Sequence, residues 1–342
     1  MASSKLSVLR RALLYVPSTP RTLAKSLSFG FPVDNVTYDL EDSIPATSKS
    51  LARAGLRAHL AALSENRPAG IGEVAVRINA FSTGLAVDDL RAVAALPAVD
   101  AIVVPKVNRP ADLALVEEVI LDVAPTRTKP LKLLALIESA RGIMDLREIC
   151  GATPNLAGLI FAAEDFAADL GLRRTRDLEE MLYARSAVVT AAHAFRLESA
   201  IDLVCTSLSD EASTIVLRAE TTRGKDLGFT GKQCIHPMQV RPVQAIFSPS
   251  KWEVGHAFRV VLGNEMASAS GHGAWKLDGK MIDAPVVLKA RRVLDRAKHC
   301  GMPVEDIRKE VQKRFARETS EPKGISIPAP TGTEPEPGAS HD

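Results

Sequence analysis

Short apolar runs alternate with longer amphipathic stretches along most of the chain. Eight of these runs are brief and mostly apolar, which is typical of strands buried on both faces of a parallel sheet. Their alternation with segments of helical spacing predicts repeated βα units. The predicted strands are Ala12–Val16, Asn35–Asp39, Val74–Ile78, Ala101–Val104, Lys132–Ile137, Leu159–Ala162, Ala200–Val204 and Gln233–Ile235.

The segments between these strands are long enough to hold helices. Apolar residues recur at helical spacing most clearly in Thr47–Leu63 and Asp177–Phe195. Eight βα units fit a (β/α)₈ TIM barrel, which typically takes about 250 residues. A doubly wound open sheet is the alternative, but no Gly-x-Gly-x-x-Gly motif follows the first strand. We therefore predict an α/β protein with a TIM barrel over residues 12–250.

The pattern changes beyond residue 250. Three helical segments follow, and two of them open with a proline, which is common at the first position of a helix. A glycine-rich stretch with a short alternating run, Ala274–Leu277, separates the first helix from the other two. We expect residues 251–319 to form a lid or an oligomerisation element. The predicted helices are Lys251–Ala267, Pro285–Cys300 and Pro303–Thr319.

The two ends of the chain differ in composition from the rest. Residues 320–342 are rich in Pro and Gly and hold almost no large apolar side chain, which predicts a disordered tail. Residues 1–25 contain five basic residues and no acidic one, as mitochondrial transit peptides do. An ordinary N-terminal arm over residues 1–11 is the alternative, because the first predicted strand already begins at Ala12. The two interpretations place the protein in the mitochondrial matrix and in the cytoplasm, respectively.

Composition and charge exclude several classes of protein. The chain has 342 residues, of which 46% are hydrophobic and 25% charged, as in ordinary globular proteins. A net charge of +2 and an aromatic content of 4% argue against a nucleic-acid partner. No apolar run approaches the ~18 residues of a transmembrane helix, so we expect no membrane partner. The four cysteines are far apart in the sequence, which argues against a zinc site or a disulfide framework.

Polar and charged residues follow seven of the eight predicted strands. In a TIM barrel the carboxyl ends of the strands meet at one rim, where active sites lie. Carboxylates gathered there repel one another unless a cation neutralises them. Since the rim holds oxygen donors but no clustered Cys or His, Mg²⁺ or Mn²⁺ is the natural candidate. The rim residues are Asp39, Glu41, Asp42, Arg77, Lys106, Glu138, Glu164 and Asp165.

Glu138 and Asp165 follow adjacent predicted strands. This placement suits Mg²⁺, which takes one or two protein carboxylates and completes its shell with water and substrate oxygens. The alternative is that polar residues follow any buried strand because loops face water.

Seven short motifs occur in order along the chain. They are Leu14–Pro17, Tyr38–Ser43 with Lys49 and Arg53, Val76–Asn79, Val104–Val107, Leu136–Ala140, Phe161–Phe166 and Gly228–Pro237. In this order they resemble the citrate lyase β-subunit-like group of the HpcH/HpaI aldolase family, over roughly residues 11–300. The segment Gly279–Pro285 is similar to the malyl-CoA and citramalyl-CoA lyase branch of that family. Ser18 and Ser43 depart from the usual pattern, which has Gly at the first position and Ala or Gly at the second.

The resemblance implies a barrel with a C-terminal lid, usually assembled as a homotrimer, that takes an acyl-CoA substrate and Mg²⁺. It implies that Glu138 and Asp165 hold the metal, that Glu138 also contacts the substrate, and that Glu164 is the rival ligand. It places Arg77 over the carboxylate and reacting carbonyl of the substrate. It assigns Asp283, from the lid of a neighbouring subunit, the role of catalytic acid/base.

Three basic residues are assigned to coenzyme A. Lys25 and Arg21 follow the first predicted strand closely, and we expect them to meet the phosphates. Lys106 is assigned to the same cofactor, and its alternative role is to balance the charge of the rim.

The catalytic and metal assignments have structural alternatives. Asp283 precedes Ala284 and Pro285, which is a good position for a helix N-cap. Arg77 would otherwise be a partner in a structural salt bridge. Glu138 and Asp165 would otherwise be stabilised at the start of the following helix.

The implied reaction is a reversible Claisen-type cleavage of a 3-hydroxyacyl-CoA, such as (S)-citramalyl-CoA, into acetyl-CoA and an α-keto acid, such as pyruvate. Malate synthase-type condensation is an expected side activity. The alternatives are a citrate lyase β-subunit-like protein acting on a carrier-protein thioester, a class II aldolase acting on free hydroxy-keto acids, and a barrel that binds without catalysing. The presence of Asp283 and of the predicted lid helices favours free coenzyme A.

Overall fold

The structure of the protein is a computed structural model that describes residues 8–207, 211–271, 273–320 and 325–326. Contacts between Cα atoms divide the chain into two compact units, Met1–Phe247 and Ser248–Asp342. Each unit has an apolar core of its own.

Eight parallel strands of the first unit close into a barrel in the order in which they occur along the chain. This confirms the predicted TIM barrel, and each predicted strand is present with its ends shifted by at most three residues. The shift is largest where a strand begins with residues that interrupt the apolar run, such as Gly72 and Glu73. The strands are β1 (Ala12–Pro17), β2 (Val33–Asp39), β3 (Ile71–Arg77), β4 (Ala101–Val104), β5 (Lys132–Ile137), β6 (Leu156–Phe161), β7 (Ser199–Asp202) and β8 (Gly231–Cys234).

Helices connect the strands and pack against their outer faces. Ala52, Leu56, Leu60 and Leu63 are the buried residues of the second helix, and their spacing of three or four residues forms one apolar stripe. The helices are α1 (Pro20–Lys25), α2 (Lys49–Glu65), α3 (Ala86–Val93), α4 (Pro110–Val123), α5 (Ala140–Met144), α6 (Leu146–Cys150), α7 (Ala163–Leu170), α8 (Leu182–Ala194), α9 (Glu211–Leu227) and α10 (Pro237–Phe247). The helix predicted over residues 177–195 thus begins later, at Leu182, after a 3₁₀ turn over Glu179–Met181.

The first and last strands of the barrel meet and close it. β1 pairs with β8 from Ala12 and Lys232 to Leu14 and Cys234. Gly231 permits this close approach, because a Cβ atom there would lie 1.9 Å from the carbonyl oxygen of Arg10. Any larger residue at position 231 would push the two strands apart at this seam.

Side chains of the strands point alternately toward the helices and into the barrel. An apolar cluster distinct from the strand–helix core fills the middle of the interior. It consists of Leu13, Ala75, Ala101, Val103, Leu134, Leu136, Ala157, Ile160 and Ile201. Charged side chains occupy the interior on either side of this cluster.

A charged cluster fills the amino-terminal end of the barrel. The buried Arg10 donates from Nε and Nη2 to the Glu73 carboxylate at 2.6 and 2.7 Å, and from Nη1 to Glu198 at 3.1 Å. Lys132 Nζ donates to both oxygens of Glu198 at 2.7 Å, and Asn35 Nδ2 donates to Glu73 at 2.7 Å. We call these five residues the lower cluster.

Two basic residues of the segment predicted as a transit peptide or arm therefore serve the fold. Arg10 belongs to the lower cluster, and Arg11 forms an ion pair of 2.7 Å with Asp34 at the start of β2. Residues 1–7 of the predicted arm lie outside the described residues.

The C-terminal unit combines helices with a small sheet. β9 (Trp275–Leu277) and β10 (Lys280–Ile282) form an antiparallel hairpin. Its turn residues Asp278 and Gly279 both have positive φ, 50° and 76°, as a type I′ turn requires. The three predicted helices are present with ends shifted by at most two residues: α11 (Lys251–Ala269), α12 (Ala284–His299) and α13 (Val304–Ser320).

Most of the tail predicted to be disordered lies outside the described residues. Within it, β11 (Ile325–Ser326) pairs with β9 in antiparallel fashion. Among the described residues, no helix combines the length and the apolar character needed to cross a membrane.

Candidate active site

The carboxyl ends of β2 and β3 carry a buried ion pair. Asp39 and Arg77 are register partners on these two strands, so their side chains share one face of the sheet. Nε and Nη2 of Arg77 each donate to the Asp39 carboxylate at 2.7 Å. Nη1 lies 3.0 Å from Glu41 and 3.1 Å from Asp42. One guanidinium therefore serves three carboxylates.

The ring of Tyr15 fixes the plane of this guanidinium. Its central carbon lies 4.7 Å from the centroid of the Tyr15 ring, which is a cation–π contact. Tyr15 Oη donates to Gln233 Oε1 at 3.0 Å, and Gln233 Nε2 donates to the carbonyl oxygen of Phe161 at 2.9 Å. Tyr15 and Gln233 lie in two of the sequence motifs but are not among the predicted site residues. The alternation of side chains on β1 and β8 is the signal that identifies them as interior residues.

The loop after β2 is held by a second polar network. Lys49 Nζ donates to the carbonyl oxygen of Glu41 at 2.7 Å and to Asn79 Oδ1 at 2.6 Å. Asn79 Nδ2 donates to Asp89 at 2.7 Å, and Arg53 Nε donates to the same carboxylate at 2.7 Å. Side chains from α2 and α3 thus position the loop that carries Glu41.

Burial and charge shift the pKa values of these carboxyl groups in opposite directions. Burial alone raises the pKa of Asp39, but its hydrogen bonds with Arg77 outweigh this effect and hold the pKa below its usual range. For Glu41, burial prevails over the attraction of Arg77, and the nearby charges of Asp42 and Glu138 add to it, so that its pKa is raised to about 8. Glu41 therefore retains a proton near neutral pH.

Glu138 and Asp165 both lie near the ammonium group of Lys106. Lys106 Nζ is 2.8 Å from Asp165 Oδ1 and 3.8 Å from Glu138 Oε1. The backbone N–H of Lys106 also donates to the Glu138 carboxylate. Burial raises the pKa of Glu138 to about 7, against the attraction of Lys106 and with the repulsion of Asp165.

Seven charged residues at this end of the barrel form two groups of ion pairs, one around Arg77 and one around Lys106, whose charges act on each other. We call the two groups together the mouth cluster. Its members are Asp39, Glu41, Asp42, Arg77, Lys106, Glu138 and Asp165.

The mouth cluster fits a divalent cation. Glu138 directly follows β5 and Asp165 lies in the first turn of α7, after β6, so their carboxylates could both contact one cation, and the ammonium of Lys106 already places a positive charge between them. In the part of the chain that the structure describes, no group of three or more His, Cys, Asp or Glu is arranged to hold a metal. A cation bound by two carboxylates would complete its shell with water and substrate oxygens, as Mg²⁺ usually does.

Glu164, the rival to Asp165, has a different partner. Its carboxylate forms an ion pair with Arg174. Arg174 in turn donates to Glu220 at 2.9 Å and to the carbonyl oxygen of Val204 at 3.0 Å. Asp165, rather than Glu164, therefore faces Lys106 and Glu138.

Three other predicted site residues are exposed. Arg21 and Lys25 lie on α1, which directly follows β1 at its carboxyl end. Asp283 lies in the C-terminal unit, where it caps α12 by accepting the backbone N–H of Val286 at 3.2 Å. The capping role is observed, and the acid/base role of Asp283 stays a prediction.

Comparison with known proteins identifies the relatives of this chain. The HpcH/HpaI aldolase/citrate lyase family matches residues 11–237. A citrate lyase subunit beta-like protein of Deinococcus radiodurans is 36% identical over 84% of this chain and 96% of that protein. A (3S)-malyl-CoA thioesterase of Cereibacter sphaeroides is 35% identical over 84% of this chain and 94% of that protein. The mitochondrial citramalyl-CoA lyase of Homo sapiens is 32% identical over 83% of this chain and 84% of that protein.

A solved structure shares the fold as well. Protein CitE of Mycobacterium tuberculosis, in complex with magnesium, acetoacetate and coenzyme A, is 30% identical with a TM-score of 0.67, over 84% of this chain and 98% of that chain. The family match covers all eight barrel strands and the mouth cluster at their carboxyl ends. The chain therefore belongs to the HpcH/HpaI aldolase/citrate lyase family.

Proposed function

We propose that this protein is a Mg²⁺-dependent carbon–carbon lyase that cleaves (S)-citramalyl-CoA, or a closely related 3-hydroxyacyl-CoA, into acetyl-CoA and an α-keto acid such as pyruvate. The convergence of Glu138 and Asp165 on one positive charge, beside Arg77, is the observation that carries this proposal. A human relative named citramalyl-CoA lyase and a CitE structure with magnesium and coenzyme A support it.

The proposed cleavage breaks the bond between the carbinol carbon and the methylene group next to the thioester. The hydroxyl group loses its proton, and the carbinol carbon becomes the ketone of the α-keto acid. The electron pair of the broken bond passes to the thioester as an enolate, which takes up a proton to give acetyl-CoA. A Mg²⁺ ion bound by Glu138 and Asp165 would polarise the hydroxyl oxygen of the substrate.

Arg77 is suited to the negative charge that develops on the thioester oxygen. Its guanidinium is permanently charged and planar, and Asp39 and Tyr15 already fix its orientation. A donor that is oriented in advance stabilises such charge without reorganising during the reaction. The proton that Glu41 retains near neutral pH lowers the repulsion that an approaching oxyanion would meet.

Two further roles belong to the same proposal. Asp283 accepts the hydroxyl proton during cleavage, acting from the C-terminal unit of a neighbouring subunit in a homotrimer. Lys25 and Arg21, exposed on α1, bind the phosphate groups of coenzyme A, and Lys106 also contacts the coenzyme A part of the substrate. The homotrimer, the location in the mitochondrial matrix and the malate synthase side activity stay predictions.

The test is the release of acetyl-CoA and pyruvate from (S)-citramalyl-CoA, with Mg²⁺ and with EDTA. Free coenzyme A is measured in the same samples, because thioester hydrolysis would release it instead. Asp283→Asn is compared with Asp295→Asn, the same change at an exposed position of α12. Equal amounts of acetyl-CoA and pyruvate that require Mg²⁺ and are lost only in Asp283→Asn support the full proposal.

Other outcomes would correct it. Free coenzyme A in place of acetyl-CoA would make the protein a thioesterase. Unchanged cleavage in Asp283→Asn would retain the lyase and remove Asp283 from its role. The absence of turnover with both citramalyl-CoA and malyl-CoA would contradict the lyase altogether.

A further inference from the structure

Lys106 occupies the point where the proposed metal site needs a cation. Its ammonium lies 2.8 Å from Asp165 Oδ1 and 3.8 Å from Glu138 Oε1. Its backbone N–H donates to Glu138 as well. The residue has a φ of 54°, in the left-handed region that residues other than glycine seldom adopt. The main chain at Lys106 thus turns so that its N–H and its side chain both reach these carboxylates.

We propose that Lys106 is a built-in competitor of the metal ion. Its ammonium compensates one of the two negative charges of Glu138 and Asp165 when no metal is bound, and it has to leave Asp165 before a divalent cation binds there. This inference rests on the proposed metal site and adds the residue that sets the affinity of that site. Lys106 acts on cation binding through Glu138 and Asp165 and is in this sense a positioning residue.

The exposure of the three side chains supports this role. Glu138 has only 5% of its side chain exposed, and a buried carboxylate without a counter-charge is costly. Lys106 and Asp165 are exposed to 43% and 42%. Exposed ion pairs of this kind contribute little to stability, so the ammonium can be displaced at small cost. The lysine therefore compensates the charge of the metal-free site and still allows a metal ion to bind.

The charges of the site imply a coupling between the metal and the substrate. Glu138 and Asp165 carry two negative charges, and the Lys106 ammonium compensates one of them. A divalent cation added to these three groups leaves one positive charge in excess. A substrate carboxylate restores neutrality, so the metal and an anionic ligand should each tighten the binding of the other. Lys106 is the residue that creates this excess.

The test is isothermal titration of the metal-free protein with MgCl₂, without and with pyruvate as the anionic ligand. Lys106→Met removes the charge and keeps a side chain of similar length, whereas Lys106→Arg retains the charge. Lys129→Met is the matched control, because Lys129 forms a 3.0 Å ion pair with Asp100 near the amino end of β5, whose carboxyl end carries Glu138.

We expect Lys106→Met to bind Mg²⁺ about tenfold more tightly than the wild type when pyruvate is absent, because one repelling charge has been removed from a partly hydrated site. Pyruvate should tighten Mg²⁺ binding in the wild type by a larger factor than in Lys106→Met. Lys106→Arg and Lys129→Met should stay close to the wild type. Binding that is detected only in Lys106→Met would also support the inference.

Equal affinity for Mg²⁺ in the wild type and in Lys106→Met, or weaker binding in the variant, would overturn the inference and leave the proposed metal site intact. The absence of Mg²⁺ binding in all four proteins would overturn the metal site and this inference together. The two failures are therefore distinguishable.

Discussion

The two ends of the barrel interior both hold buried arginine–carboxylate pairs, but their charges are balanced differently. In the lower cluster two cations, Arg10 and Lys132, face two carboxylates, Glu73 and Glu198. In the mouth cluster two cations face five carboxylates. Cations and carboxylates are therefore equal in number at the amino-terminal end, whereas carboxylates outnumber cations at the carboxyl-terminal end.

This difference separates a structural ion cluster from the proposed binding site. A buried ionic group that satisfies itself closes the barrel and attracts nothing further. In the mouth cluster, burial and the neighbouring carboxylates raise the pKa values of Glu41 and Glu138, and the excess of carboxylates over cations favours the binding of a further cation. A buried ion pair by itself therefore does not indicate a binding site. An excess of carboxylates over cations does.

The largest effect on stability is expected from breaking the neutral end. Arg10→Met leaves Glu73 buried without its cation and should lower the free energy of unfolding by about 3–5 kcal/mol. Urea unfolding measures this loss, and lyase activity per folded molecule should be retained. The double variant Arg10→Met with Glu73→Leu should recover part of the loss, since no uncompensated charge remains. A loss below about 1 kcal/mol would show that the lower cluster does not stabilise the barrel.

At the mouth the equivalent arginine should matter mainly for catalysis. Arg77→Lys keeps the charge but loses the fork that binds two oxygens at once, so kcat should fall by about 10²–10³, or about 3–4 kcal/mol in the barrier. The assay is acetyl-CoA release under saturating Mg²⁺. Arg141→Lys, at an exposed arginine of α5, serves as the control and should retain activity. A decrease of less than tenfold in Arg77→Lys would leave Arg77 with a structural role only.

The excess charge of the mouth should appear as a pH dependence of stability. Glu41 and Glu138 have pKa values raised to about 8 and about 7, from the 4.5 of an exposed glutamate. Between these limits the folded metal-free protein holds more protons than the unfolded chain, so its unfolding free energy should fall as the pH rises from about 4.5 to about 8. At about 1.4 kcal/mol per pKa unit, Glu41→Gln should remove up to about 4 kcal/mol of this fall.

Urea unfolding in EDTA at pH 5 and pH 9 measures this difference. Asp88→Asn, at an exposed carboxylate of α3, is the control and should leave the fall unchanged. Added Mg²⁺ should reduce the fall as well, because it neutralises the same carboxylates. Identical pH profiles for Glu41→Gln and the wild type would mean that Glu41 does not carry the proton.

The smallest effect is expected at Glu164. Its partner Arg174 is also held by Glu220, so Glu164→Gln should cost less than about 1 kcal/mol of stability and leave Mg²⁺ affinity unchanged. Asp165→Asn should weaken Mg²⁺ binding at least tenfold, because it removes one of two charged ligands. Titration calorimetry on both variants decides between the two carboxylates. Loss of affinity in Glu164→Gln alone would exchange their roles.

The sequence predicted the barrel because most of its strands retain an apolar segment. It missed the first residues of β3 and β8, where Glu73 and Lys232 are buried. Such residues look like loop residues in the sequence, since their partners are remote: Arg10 is 63 positions away from Glu73. A charged side chain inside a buried strand can be predicted only when its ion-pair partner is known.

The charged groups of the mouth cluster could be predicted because they follow the carboxyl ends of the strands. Parallel strands all end at one rim, so strand order alone places Arg77, Glu138 and Asp165 near one another. It does not reveal which charges touch. The insertion of Lys106 between two carboxylates depends on its left-handed backbone, and the contact of Arg77 with Tyr15 depends on the packing of the interior. Neither feature has a signature in the local sequence.

The seam between β1 and β8 makes completion of this fold a late event in synthesis. Tyr15 and Gln233, which hydrogen-bond across the seam, are 218 positions apart. While the chain leaves the ribosome, one edge of β1 has no partner until β8 has emerged, and an unpaired strand edge is a template for aggregation. Contacts of such long range also form slowly. The risk of aggregation is therefore highest during the tens of seconds that synthesis takes, at about 5–20 residues per second, to pass from β1 to β8.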